Sequence, residues 1–295
     1  MHTPQPHDCS GERDLNLSGT PPDRAPGSVV SQTFFSSSSK LSGSVKRPIK
    51  QGVDYREPIQ RTAGLKPVSD KGFRLIEPSA TARARMVRDQ LQWRGIRDPG
   101  VLQAMGSIPR ERFLRPGFDR FRQDPYADGA QSIGRGQTLS QPYMVAAMTE
   151  ALQLPDQARV LEVGTGSGYH AAVLAHSAAE VWTVERDPVL SREAKERLDD
   201  LGILNVRFLV GDGSLGWADG SPYLGILVTA GAPNVPAPLV AQIAPEGRLV
   251  IPVGSTMTQR LLRVTQGSDG SGTTTEKLMG CRFVPLIGQA GWDED

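Results

Sequence analysis

The stretch VLEVGTGSGYHAAVLA, residues 160–175, runs aliphatic residues into three glycines at alternate positions, Gly164, Gly166 and Gly168, and then into an alanine-rich segment. A strand that enters a glycine turn and leaves as a helix is a βα unit in which something approaches the backbone closely. The spacing alone leaves open a dinucleotide, a phosphate, another small molecule or a packed helix. A dinucleotide fingerprint requires GxGxxG, but the third glycine comes one residue early and Tyr169 stands in its place. A phosphate loop fails as well, because no Gly-Lys-Ser/Thr follows.

Working outward, the strand-like runs RVLEV, EVWTVE, VRFLV, GILVTA and RLVIPV alternate with helical segments near residues 169–179, 188–201 and 236–243. That alternation predicts an α/β fold with a doubly wound, mostly parallel sheet and helices on both faces. Two further strands, RLLRVT and CRFVPL, are expected around a Gly/Ser/Thr-rich loop at 267–275. Upstream, Ala84, Val87 and Leu91 recur at helical spacing behind a Ser79 cap, and Asp98-Pro99 marks the start of a second helix carrying Val101, Leu102 and Met105. Residues 1–75 are rich in Ser, Pro and Gly, include SQTFFSSSSKLSGS, and show no apolar period. They are expected to form a disordered extension, leaving 76–295 as the folded domain.

The 295 residues are 38% hydrophobic and carry a formal charge of +1, which supplies a core but no basic field for nucleic acid. Cys9 and Cys281 are far apart and no Cys/His cluster has zinc spacing; His170 and His176 lie six apart on one helix, poor metal spacing, so no metal is expected. No apolar run reaches a membrane span and no export signal is legible, so a cytoplasmic protein is expected. Trp182 and Trp217 are expected in the core or a pocket wall.

Three acidic positions are expected to ring the glycine turn: Glu162 just before it, Glu185 at the end of the second strand, and Asp212 in the GDG that ends the third. A carboxylate at the end of the second strand can accept both hydroxyls of a ribose, and Asp212 can accept a purine amino group. Negative charge in place of phosphate-binding groups suits a sulfonium with an amino-acid head, S-adenosylmethionine. The competing structural role for Glu185 and Asp212 is to cap the helices that follow their strands.

From Thr81 to Gly288 the sequence resembles the protein-L-isoaspartate O-methyltransferases: MVRDQLQWRGIRDPGVLQAMGSIPRERFL, IGRGQTLSQPYMVAAMTEAL, LEVGTGSGY, GDGSLGW, VTAGAP and RFVPLIG each stand in order. The cofactor loop is common to many methyltransferases, whereas GQTLSQP is far more specific. The resemblance implies an S-adenosylmethionine-dependent, Rossmann-like methyltransferase fold with N-terminal helices, and an enzyme that methylates the α-carboxylate of isoaspartyl residues in damaged proteins and peptides, acting as a monomer without nucleic-acid or membrane partners. It further implies Ser140 as the catalytic residue, with Thr138, Leu139, Glu162, Gly164, Thr165, Gly166, Gly168, Glu185, Asp212 and Gly213 holding the cofactor. Read by itself, Ser140 is a helix N-cap ahead of Pro142, on a helix whose apolar face is Met144, Val145, Met148 and Leu152. Two departures stand out, Gln131-Ser132 where the family commonly has Leu-Pro, and Leu224 in place of an aspartate; Leu224 starts its strand, far from the ligand end near Thr229 and Ala230. The rival functions are a methyltransferase of the same fold with another substrate, and a non-catalytic adaptor that recognises damaged proteins.

Overall fold

A computed structural model describes residues 79–114, 124–270 and 272–294. The expected 1–75 extension lies outside the described residues. Helix α1 (Ser79–Arg85) runs into a π-helical turn over Met86–Gln92, in which the N–H groups of Trp93 and Ile96 reach back five residues, to Arg88 and Leu91. The extra residue per turn rotates the inner face. Ala82, Met86 and Leu91 are buried, and the expected Ala84 is exposed. Helix α2 (Pro99–Ser107) begins as its sequence requires: Asp98 accepts from Val101 N at 3.0 Å and Pro99 fills the first turn.

A hairpin of β1 (Gln131–Gly134) and β2 (Gln137–Leu139) leads into α3 (Pro142–Leu152). The main sheet then follows with β3 (Arg159–Val163), α4 (Tyr169–Ala175), β4 (Glu180–Glu185), α5 (Pro188–Asp200), β5 (Val206–Val210), β6 (Tyr223–Val228), α6 (Ala237–Val240), β7 (Ile243–Gly254), β8 (Gln259–Gln266) and β9 (Thr273–Cys281). Strand order is β5-β4-β3-β6-β7-β8-β9. The first five of these pair in parallel, and β8 and β9 extend the edge antiparallel. The order reverses between β3 and β6, so the crevice at their carboxyl ends is where a ligand belongs.

Both faces of the central strands are buried, which is why they read as unbroken apolar runs. Val160, Val181, Leu227 and Val250 pack with Met148 and Leu152 of α3 and Leu174 of α4. On the opposite face, Leu161, Val163, Val184, Ile226 and Ile251 pack with Leu239 of α6. Trp182 and Trp217 meet edge to face beside that second layer, ring centroids 4.5 Å apart, as a wall of the core.

Three expected bounds move for identifiable reasons. Helix α4 stops at Ala175 because the Asn205 amide bonds the Ala175 and Ala178 carbonyls at 2.9 and 3.1 Å. Helix α6 is four residues long because the chain enters β7 at Ile243, in register with Tyr223. CRFVPL is not a strand beyond Cys281: the buried Gln259 side chain brackets Phe283, accepting its N–H at 2.7 Å and donating to its carbonyl at 3.1 Å. The segment then crosses to Gly231, whose N–H donates to Val284 O and whose carbonyl accepts from Leu286 N. The loop before β9 is correspondingly shorter, since the strand starts at Thr273.

Candidate active site

A cavity of about 360 Å3 opens at the carboxyl ends of β3, β4 and β6, within the usual range for small-molecule sites. The glycine turn forms one wall and residues 137–141 the other, while residues 280–287 close a third side.

Each glycine of the turn answers a different demand. A Cβ on Gly164 would stand 2.3 Å from Thr229 Oγ1, and one on Gly168 would stand 2.8 Å from Leu198 and 3.0 Å from Ala194 of α5. Both have positive φ, +93° and +88°. They are glycine so that β6 and α5 can close on the turn. Thr229 completes the lock, its hydroxyl donating to Gly164 O at 2.7 Å. Gly166, at φ +53°, is different: a Cβ there would meet only Ile133 at 3.7 Å, and the residue lines the cavity.

Glu185 sits at the rim of the turn, nearly buried, with Oε2 accepting Gly166 N at 2.9 Å and Oε1 accepting Asp187 N at 3.0 Å. The helix cap on α5 is Asp187, not Glu185, so the capping role does not apply to Glu185. Gly166 N–H is the donor that a phosphate-binding turn would offer to its ligand; here a carboxylate occupies it. The turn therefore favours a neutral or cationic ligand, and the lone pairs left on Glu185 remain for hydroxyl donors.

Glu162 and Asp212 are placed otherwise than the sequence suggested, since neither side chain lines the cavity. Glu162 is fully buried behind the turn, accepting from the Thr183 hydroxyl at 2.6 Å, and Thr183 meets Thr165 Oγ1 at 2.6 Å. Burial pushes its carboxyl up to about 8; the Thr183 hydroxyl opposes the shift, the Glu185 charge adds to it, and Ala171 N–H opposes it weakly. Glu162 is thus a largely protonated support for the turn. Asp212 does what the structural alternative required: Oδ1 accepts Ser214 N at 2.9 Å at the start of a short helical turn, and Oδ2 accepts Gln289 N at 2.7 Å. Partial burial raises its carboxyl, but the Ser214 and Gln289 donors outweigh that and hold it below the usual range. Its neighbour Gly213 does line the cavity, and a Cβ there would strike Val163 at 2.5 Å.

The facing wall is the hairpin strand β2 and its exit. Thr138, Leu139 and Ser140 all line the cavity, as does Thr165 across from them. The hairpin is pinned at its tip by an ion pair from Arg135 to Asp187. Ser140 does not cap α3: the N-cap position is Gln141, without a side-chain cap bond, and Pro142 is the first helical residue. The Ser140 hydroxyl is therefore not committed to the helix. Gln131 is buried at the base of the hairpin, bonded to Asp124 O, and Leu224 packs against the sheet, away from the cavity.

His170 is a packing residue in the cavity wall. Thr149 Oγ1 donates to Val145 O at 2.8 Å, so it must accept from His170 Nε2 at 2.9 Å. Burial pushes this imidazole down to about 3. His176, at the opposite end of that helix, is exposed. Among the described residues no group of three or more His, Cys, Asp or Glu is arranged to hold a metal ion, and no helix is long and apolar enough to cross a membrane. What the sequence did not mark is the wall at 280–287 and the buried Arg110 behind Ser140. RFVPLIG signalled the first only as a shared motif.

The model of the family described as protein-L-isoaspartate(D-aspartate) O-methyltransferase matches residues 82–291. The chain belongs to this family. A protein-L-isoaspartate O-methyltransferase of Trichlorobacter lovleyi is 51% identical over 211 residues, covering 72% of this chain and 95% of the relative. One from Pelobacter propionicus is 53% identical over 212 residues, 71% and 92% of the two chains. Among solved structures, a protein-L-isoaspartate O-methyltransferase superposes with TM-score 0.63 at 29% identity, over 71% of this chain and 67% of the other. A Plasmodium falciparum protein assigned to the same activity, solved in complex with S-adenosyl-L-homocysteine, gives 0.59 at 25%, over 70% and 98%. The match covers the glycine turn, the Ser140 wall and the segment at 280–287 alike.

Proposed function

We propose that this chain transfers a methyl group from S-adenosylmethionine to the α-carboxylate of L-isoaspartyl residues in damaged proteins and peptides, the repair activity of its family, and that Ser140 is the residue that orients the carboxylate. The observation that carries the assignment is the Ser140 hydroxyl, which caps no helix, in the wall of a cavity that also holds a glycine turn whose N–H is already taken by Glu185. A turn so occupied suits the sulfonium cofactor and excludes a pyrophosphate.

The residues present fit that cofactor. Glu185 would take the ribose hydroxyls, Gly166 leaves room for the ligand beside the turn, and Gly164, Thr165, Gly168 and Gly213 shape the backbone around it. Thr138 and Leu139 would cover it from the hairpin. Glu162 and Asp212 would act one layer back, through the Thr183–Thr165 hydroxyls and through the segment at 289–290. When bound, S-adenosylmethionine supplies an electrophilic methyl on a positively charged sulfur.

The isoaspartyl carboxylate is ionised at neutral pH and needs no general base. Its oxygen forms the new O–CH3 bond as the S–CH3 bond breaks, and the electron pair stays with sulfur. The protein's task is to hold the groups in line, which can supply on the order of 7–11 kcal/mol at best. Ser140 would do this by a hydrogen bond to the carboxylate, not by covalent attack. Residues 76–295 would constitute the catalytic domain, working as a cytoplasmic monomer on proteins and peptides; the near-neutral charge of +1 supports a substrate other than nucleic acid.

Incubating the full chain with S-adenosylmethionine and matched isoaspartyl and aspartyl peptides tests the assignment. Methyl ester on the isoaspartyl peptide alone is expected. Binding of that peptide without methyl release would make the protein an adaptor, and methylation of neither peptide would leave a different substrate for the same fold.

A further inference from the structure

Arg110, in the short helical turn Arg110–Phe113, is fully buried. Its Nε donates to Pro125 O at 2.8 Å and its Nη2 to Ser140 O at 2.7 Å, while Nη1 has no partner. The guanidinium lies 5.0 Å from the Tyr169 ring centroid. No carboxylate of the described residues forms an ion pair with it. Burial pulls its pKa down, yet a guanidinium keeps its proton in proteins. A charge withdrawn from water with no counter-charge among the described residues is costly, and two carbonyl dipoles with one aromatic face offset only part of that cost.

Two of the groups this charge touches, the Ser140 peptide and the Tyr169 ring, belong to residues that line the cavity. A ligand against Ser140 therefore lies close to a positive charge in a poorly screened setting, where potential falls off slowly. We propose that Arg110 is the positioning and selecting residue of the substrate side: it fixes the Ser140 wall through the peptide carbonyl, and its buried charge makes the cavity prefer an ionised carboxylate to a neutral carboxamide. The anion that completes the charge balance is the substrate's own. This rests on the assignment of Ser140 to the isoaspartyl carboxylate.

The test compares an isoaspartyl peptide with its isoasparaginyl twin, identical but for an α-carboxamide, by equilibrium binding to the full chain saturated with S-adenosyl-L-homocysteine. The wild type is expected to favour the carboxylate. In Arg110→Gln that preference should shrink by about tenfold, with affinity for S-adenosyl-L-homocysteine within about twofold of wild type. Arg110→Lys keeps a charge but not the two directed bonds, so it should keep the preference and lose turnover. A folded Arg110→Gln protein with the wild-type preference overturns the proposal. If Arg110→Gln does not fold, Arg110→Lys decides, and loss of preference in that folded variant overturns it too. Failure of the underlying assignment looks different: the wild type would not methylate the isoaspartyl peptide, or Ser140→Ala would leave its turnover intact.

Discussion

The two facing walls of the cavity are held in place by opposite means. The glycine turn takes its shape from side chains that are missing: Gly164 and Gly168 let Thr229 and α5 close to distances that no Cβ could occupy. The Ser140 wall is held instead by side chains that are present: Arg135 pairs with Asp187 at the hairpin tip, and the buried Arg110 reaches across thirty residues to the Ser140 carbonyl. A wall made by absence tolerates almost no added volume. A wall held by long side chains tolerates volume but depends on charge and direction.

Four measurements would break or sharpen that contrast, in descending order of expected effect. Gly168→Val places a β-branched side chain at φ +88° against Leu198 and Ala194; overpacking and backbone strain together should cost about 4 kcal/mol in urea unfolding. A loss under about 1 kcal/mol would mean the turn is not set by close approach.

Next comes the support behind the same wall. Glu162 has an ordinary value of 4.5 and a folded value of about 8. Between those limits the folded protein holds a proton that the unfolded chain has released, so wild-type stability declines as pH rises from 4.5 and levels off above about 8. Glutamine does not titrate. The stability of Glu162→Gln relative to wild type should therefore rise by about 3 kcal/mol between roughly pH 5 and pH 7.5, followed by chemical denaturation at both pH values. A difference independent of pH would show that Glu162 is ionised in the fold.

On the other wall, Ser140→Ala should lower turnover of isoaspartyl peptide at least about tenfold, equivalent to about 1.4 kcal/mol. Melting temperature and cofactor affinity should stay close to wild type, because the hydroxyl caps no helix. A parallel fall in stability would return Ser140 to a capping role. The smallest structural effect is expected at Gly166→Ala, with about 1 kcal/mol of unfolding free energy lost to its left-handed backbone. Ligand affinity should drop more than stability does, since the Cβ is opposed only by Ile133; unchanged affinity for S-adenosyl-L-homocysteine would place the ligand away from Gly166.

Much of this was legible in the chain itself. RVLEV, EVWTVE and VRFLV match β3, β4 and β5 residue for residue, because short runs rich in β-branched and aromatic residues, bounded by turns, favour strands. The place of Glu185 in the cavity wall was legible too, since it is the last residue of a strand beside the glycine turn. Glu162 was misjudged because alternation puts it on the α3/α4 side of the sheet, under the turn, where nothing in LEVGTG distinguishes a ligand contact from a support. Asp212 was misjudged because one of its partners, Gln289, lies 77 residues further on. Arg110 gave no signal: in IPRERF it looks like any surface charge, and only the packing of Tyr169 and the return of the chain at Ser140 bury it.

The segment that leaves β9 has a consequence in time. Residues 280–287 line the cavity, and Gln289 and Ala290 supply the N–H groups that satisfy Asp212 and Ser214. Residues 282–290 are translated after the turn, the hairpin and every strand of the sheet. A nascent chain that already holds its complete β-sheet still lacks most of one side of the site, so competence for repair comes later in synthesis than the sheet itself. A ribosome that stalls just after Cys281 leaves a chain that has every strand of the sheet but lacks most of the third cavity wall.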